Sequence, residues 1–127
     1  MLTTFASLVS GVISVGIILI GARFLLAPQV AAAGYGVPIE SGEQSGGPYP
    51  WLYVKGVRDI ASGILLCILL ANREPHLLGS FMAAASIIPV SDALIVLRSS
   101  GTRAAAFGIH GVTAAVMLTA GAALLMA

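Results

Sequence analysis

Residues Phe5–Leu26 read FASLVSGVISVGIILIGARFLL, an apolar run interrupted by one charge, Arg23, and closed by Ala27-Pro28. A helix needs roughly 20 largely apolar residues to cross a bilayer, and this run supplies them. Three further stretches have the same character: about Pro50–Ala71, opened by prolines that suit a first helical turn, about Pro75–Leu97, and about Ala104–Met126. The expected fold is all-α, an integral membrane four-helix bundle of up-down topology that uses residues 1–127 as one domain. Asn72–Glu74 and Arg98–Arg103 read as tight turns. Residues 28–49 read as a long polar loop, rich in Gly, Pro and Ser and carrying Glu40 and Glu43. A loop of that length in so small a protein is often a lid or a binding segment.

The whole-chain numbers agree. Of 127 residues 58% are hydrophobic and 9% charged, and the mean hydropathy is +1.03. Soluble domains carry about 25% charged residues, so a chain this apolar lacks the polar surface to cover a water-facing exterior. A net charge of +1 provides no basic surface, and no nucleic-acid partner is expected. The single cysteine, Cys67, excludes an internal disulfide and a CxxC redox pair. Ala31-Ala32-Ala33 imitates a signal-cleavage site, but the preceding run is too long and lacks a basic start, so no cleavage is expected. Ser7, Gly11, Ser14 and Gly21 in the first stretch, and Gly108, Gly111 and Ala115 in the fourth, are small residues of the kind that let helices approach closely in lipid.

Ionisable residues inside membrane helices are costly, which makes each a site candidate. They are Arg23, Lys55, Arg58, Asp59, Asp92 and His110. Because the helices alternate in direction, all of them fall within about 12 Å of one membrane face at 1.5 Å per residue, on the side of the long loop. The other half, with Ile64–Leu70 and Phe81–Ile88, is uninterrupted apolar sequence. Arg23 and Lys55 are near enough to the interface to snorkel. Lys55 and Asp59, four apart, are placed to pair. Arg58 and Asp59 point about 100° apart on a helix, so they are not expected to neutralise each other. Pro89, three residues before Asp92, favours a kink. Three cations face two carboxylates in this group, so the expectation is that water, a carbonyl-rich ligand or a headgroup balances the remaining +1. A purely structural ion network is the plain alternative to a site.

Chemistry is narrowed by elimination. His76 and His110 fall on opposite sides, so bis-His haem ligation is not expected. No metal-ligand spacing is present, and neither a metal nor a cofactor is expected. No phosphate loop or nucleophile motif appears. Two carboxylates among arginines in an apolar site remain, an arrangement that pushes carboxyl pKa values apart and yields an acid and a base together. That suits water addition to, or ring closure on, an apolar oxygenated substrate such as an epoxide.

The segment Tyr53-Val54-Lys55-Gly56-Val57-Arg58-Asp59-Ile60-Ala61-Ser62-Gly63, with Gly21-Ala22-Arg23 before it and Asp92 and His110 after it, resembles an uncharacterised, domain-of-unknown-function family of small four-helix membrane proteins. The family occurs in bacteria and in fungal secondary-metabolite clusters. The likeness spans nearly the whole chain, and Lys-Gly-x-Arg-Asp is its most specific part. A relation to the small membrane epoxide hydrolases or cyclases of aurovertin-type polyketide pathways would imply a site at Lys55, Arg58, Asp59, Asp92 and His110.

The leading expectation is a membrane-embedded hydrolase or cyclase acting on a lipophilic epoxide or polyketide. Asp92 or Asp59 would be the base. The other carboxyl, or one of Tyr35, Tyr49 and Tyr53, would protonate the leaving oxygen. Arg58 would orient the carboxylates and His110 would assist proton transfer, with Arg23, Lys55 and the tyrosines contacting substrate. The alternatives are a small dimeric transporter, although such four-helix exporters carry a carboxylate in the middle of their first helix, and a non-catalytic membrane subunit or scaffold. The expected partners are a lipophilic small molecule and membrane lipid, with a homo-oligomer left open. Arg98 and Arg103 flank the site side, and the positive-inside rule then places the site and loop in the cytoplasm of a multi-pass protein of the plasma membrane or endoplasmic reticulum.

Overall fold

A computed structural model describes residues 1–37 and 50–127. The described residues form helices and turns, with no strand. The helices are α1 (Leu2–Leu26), α2 (Pro28–Tyr35), α3 (Pro50–Ala71), α4 (Pro75–Arg98) and α5 (Arg103–Leu125). By length and composition, α1, α4 and α5 are long and apolar enough to cross a membrane. α3 has 22 residues but carries Lys55, Arg58 and Asp59 in its first half.

The described residues thus form five helices where four were expected. The additional one, α2, occupies the start of the segment read as a polar loop. Its causes are local. Ala27, at φ −142° and ψ 64°, breaks α1, and Pro28 then takes the first turn of a new helix, where its missing N–H costs nothing. Ala31-Ala32-Ala33 favour helix. Gly36 ends it at φ 94°, a left-handed conformation that glycine adopts without strain. Ala31, Ala32 and Tyr35 turn inward, so the short helix is held by packing.

Two of these long apolar helices depart from regular geometry. α4 is interrupted at Ser86, between Pro75–Ala85 and Ile87–Arg98. Pro89 has no N–H for the Ala85 carbonyl, and its ring crowds that group. The interruption comes one turn ahead of the proline. α5 opens under a Thr102 cap, whose hydroxyl accepts from the Ala105 N–H at 3.1 Å, and then widens into a π-helical turn over Ala106–Gly111. Such turns are frequent at functional sites.

α1 packs chiefly on α3, and the first half of α4 packs on the second half of α5. Both contacts are made by small residues. A Cβ on Gly21 would stand 2.6 Å from the Gly56 carbonyl oxygen, and one on Gly63 would stand 2.7 Å from that of Ser14. Across the second pair, a Cβ on Gly79 would meet the Gly121 carbonyl at 2.8 Å. Of the small residues singled out in the sequence, Ser14 and Gly21 lie in the α1–α3 contact. Gly108 is exposed with nothing near it, and the α4–α5 approach uses Gly79 and Gly121 instead.

Two apolar clusters form the interior. One gathers Ala6, Leu66, Leu78, Met82, Met117, Ala120, Ala123 and Leu124. The other gathers Phe24, Ala31, Ala32, Tyr35, Leu52, Val96, Ala105 and Ala106, with α2 closing that end. The outside is apolar as well: Phe5, Leu8, Val12, Val15 and Leu19 of α1 are all exposed. An exterior of this kind suits lipid.

Candidate functional site

The first half of α3 organises the charges. Lys55 and Asp59 are one helical turn apart and share a face. The Lys55 Nζ donates to Asp59 Oδ2 at 2.8 Å and to Asp92 Oδ2, on α4, at 3.3 Å. Arg58 reaches the other oxygens of the same carboxylates, with Nη2 at 3.4 Å from Asp59 Oδ1 and 3.6 Å from Asp92 Oδ1. The side chains of Lys55, Asp59 and Asp92 are buried, whereas that of Arg58 is 42% exposed. The expectation that Arg58 and Asp59 cannot meet is therefore corrected. The long guanidinium arm bends back around the helix and spans the angular gap. Two cations and two anions leave this core neutral, and the third cation of the expected set, Arg23, makes no ion pair with these carboxylates and is exposed.

Aromatic rings complete the enclosure. The Lys55 ammonium lies 4.8 Å from the centre of the Tyr35 ring and 5.1 Å from that of Phe24, which stabilises a desolvated cation. Tyr35 sits edge-on to Phe24 and to His110, with ring centres 6.1 and 4.7 Å away. Burial first, then the charge of Asp92 and a hydrogen bond to it, push the Tyr35 phenol above its ordinary value. The phenol is thus a neutral O–H donor facing a carboxylate. His110, in the π-helical turn, has Nε2 at 3.0 Å from the Tyr35 carbonyl oxygen. A carbonyl only accepts, so Nε2 carries the proton and a neutral ring keeps its lone pair on Nδ1.

These groups form one side of a cavity of about 230 Å³. Lys55, Asp59, Asp92, Tyr35, His110 and Arg23 all line it, and the remaining wall is mostly apolar, including Ile17, Ile88, Pro89 and Met117. The interruption of α4 sets Ala85, Ile88 and Pro89 on this wall, one turn before Asp92. Among the described residues no cluster of His, Cys, Asp and Glu could hold a metal ion.

The structure brings Lys55, Arg58, Asp59, Asp92 and Tyr35 into one cluster. His110 joins the cavity through the Tyr35 main chain rather than through a carboxylate. Arg23 is exposed at the wall. Tyr53 is 40% exposed and outside the cavity lining, because it lies two residues before Lys55 and points away from the shared face. Tyr49, like Glu40 and Glu43, lies outside the described residues. Sequence reasoning passed over Ser62 and Thr113, which also line the cavity. Helical spacing held the signal: Ser62 is three residues from Asp59, and Thr113 three from His110.

Comparison with known proteins adds one finding. Neither the curated proteins nor the solved structures contain a match to this chain. Residues 14–124, which include every member of the charged cluster, match a family described as Domain of unknown function (DUF4267), and the chain belongs to that family.

Proposed function

We propose that this protein is a membrane-embedded enzyme that opens a lipophilic epoxide, by adding water or by closing a ring onto it, through carboxylate acid–base catalysis. One observation carries the reading: two buried carboxylates from different helices share a lysine ammonium on the wall of an apolar cavity. Burying ions in lipid is expensive and is the usual mark of a working site. The resemblance of the Lys-Gly-x-Arg-Asp segment to small membrane proteins of secondary-metabolite clusters supports the same choice of chemistry. In this reading α3 is a fourth crossing, since its charges are mutually paired and Lys55 and Asp59 are buried, and the site end faces the cytoplasm.

Asp92 is the preferred base, because it meets both the cavity and Tyr35. It takes the proton of a water or substrate hydroxyl. The freed electron pair forms the new C–O bond as the epoxide C–O bond breaks. Once Asp92 is protonated it no longer needs the Tyr35 proton, so the phenol turns to the departing oxygen and protonates it, then recovers a proton from Asp92. The proton count closes with no cofactor. Lys55 and Arg58 hold the carboxylates in place throughout. Both carboxylates face cations, so the acid sought in a second carboxyl is better supplied by Tyr35.

The test is turnover of a lipophilic epoxide by protein in lipid nanodiscs, with melting temperature measured beside it. Asp92→Asn should lower turnover by about 10²-fold or more, the usual contribution of a positioned base, while the protein stays folded. A variant that melts early yet keeps its turnover per folded molecule would return the cluster to a structural role.

A further inference from the structure

We infer that the cavity selects a ligand bearing a hydroxyl group, which it holds by accepting the hydrogen bond, over the corresponding ether or carbonyl compound. The inference rests on the site proposed above and concerns what that site binds.

Most hydrogen-bond donors on the cavity wall already have a partner. The Ser62 hydroxyl donates its single proton to the Arg58 carbonyl at 2.9 Å, and the Thr113 hydroxyl donates its own to the Ile109 carbonyl at 2.7 Å. Each oxygen then has only lone pairs left to offer. His110 uses its Nε2 proton on the Tyr35 carbonyl, leaving an acceptor at Nδ1. Lys55 turns two of its three protons to Asp59 and Asp92 and lies against the Phe24 and Tyr35 rings, and the Tyr35 phenol faces Asp92. Of the polar groups lining the cavity, the donors not turned onto such a partner among the described residues are the third N–H of Lys55 and the guanidinium of Arg23, exposed at the wall.

A ligand entering this space meets acceptors backed by apolar surface. An ether or ketone can accept only from Arg23 or the third Lys55 N–H and leaves the Ser62, Thr113 and His110 acceptors unpaired. An alcohol supplies the missing donor, and a polar group left unpaired in such a site is what separates strong from weak ligands. The hydroxyl also brings a transferable proton to Asp92. This favours ring closure by a hydroxyl on the substrate over hydrolysis by free water.

Binding can be measured without turnover, so this inference and the enzymatic reading fail separately. The probes are farnesol, its methyl ether, farnesal and farnesylamine, added to protein in phosphatidylcholine nanodiscs. The readouts are melting temperature and the fluorescence of Trp51, whose ring centre is 6.2 Å from that of Tyr35. Farnesol should bind about tenfold more tightly than the ether or the aldehyde, the worth of roughly one good hydrogen bond. The double variant Ser62→Ala/Thr113→Val should narrow that gap and leave ether binding unchanged. Equal binding of alcohol, ether and aldehyde to the unaltered protein would overturn the inference. So would a more than tenfold preference for the amine, which would assign the wall to a cation. Alcohol selectivity in a protein that turns over no hydroxy-epoxide would support it while removing the enzymatic reading.

Discussion

The two halves of this molecule are built from the same four long helices and hold together in different ways. At one end Lys55, Asp59, Asp92, Tyr35 and His110 face inward around a cavity, and the half-exposed Arg58 pairs with both carboxylates. At the other end Leu78, Met82, Ala120 and Leu124 close on one another, and Gly79 meets Gly121 backbone to backbone. The polar half depends on each charge keeping its partner. The apolar half depends on shape alone, because lipid tails are as apolar as its core and offer no hydrophobic drive to assemble. A removed partner should therefore do more harm than a removed methylene.

The sharpest test is Lys55→Met. It leaves two buried carboxylates facing each other with only the half-exposed Arg58 between them. The loss should be about 3–5 kcal/mol, read from unfolding in lipid nanodiscs. Adding Asp59→Asn and Asp92→Asn should restore much of it. Failure of that rescue would mean that the network is not the unit of stability in its half.

In the apolar half, Met82→Ala should cost about 2 kcal/mol, the low end for a buried truncation, since only packing is lost in lipid. Met82 is fully buried and does not line the cavity. Ligand binding per folded molecule should be unchanged, and a large change in binding would show that the two halves are coupled.

Gly79→Val tests the backbone approach of α4 to α5. The added side chain collides with the Gly121 carbonyl and with Leu124, and overpacking of this kind costs about 1–3 kcal/mol. A neutral outcome would mean that α4 can slide on α5, which its interruption at Ser86 would permit.

The smallest expected effect is Tyr35→Phe, which removes one hydrogen bond and should cost about 0.5–1.5 kcal/mol. It also carries a pH signature. The Tyr35 phenol is raised in the folded protein, so above about pH 10 the unfolded chain loses a proton that the folded chain keeps. Stability present below that pH is lost as pH rises. Tyr35→Phe should flatten the alkaline fall in melting temperature, and an unchanged fall would place the phenol in water rather than against Asp92.

Much of this site was legible because ionisable residues stand out in an apolar sequence. Alternating helix direction alone was enough to gather Lys55, Asp59, Asp92 and His110 toward one face. Tyr35 was named among three tyrosines with nothing to choose between them, because it sits on a helix that the polar composition of its surroundings concealed. The misreading of Arg58 and Asp59 came from treating side chains as rigid spokes of a helical wheel. Ser62 and Thr113 were passed over because neither is charged, although each falls three residues from a named site residue.

What the sequence determined by itself follows from transfer energetics. Runs such as Phe5–Leu26 and Pro75–Leu97 are too apolar for water and long enough for a bilayer, so their helical state is set before any tertiary contact forms. Partnership was decided only in three dimensions. Lys55 bridges Asp59 one turn away and Asp92 on another helix, α2 folds over the site because Ala32 and Tyr35 find a core there, and the π-helical turn brings His110 to the Tyr35 carbonyl. Each of these depends on how closely helices approach and how far they rotate. That is set by glycine contacts and by the break before Pro89, acting together across helices that lie far apart in the chain.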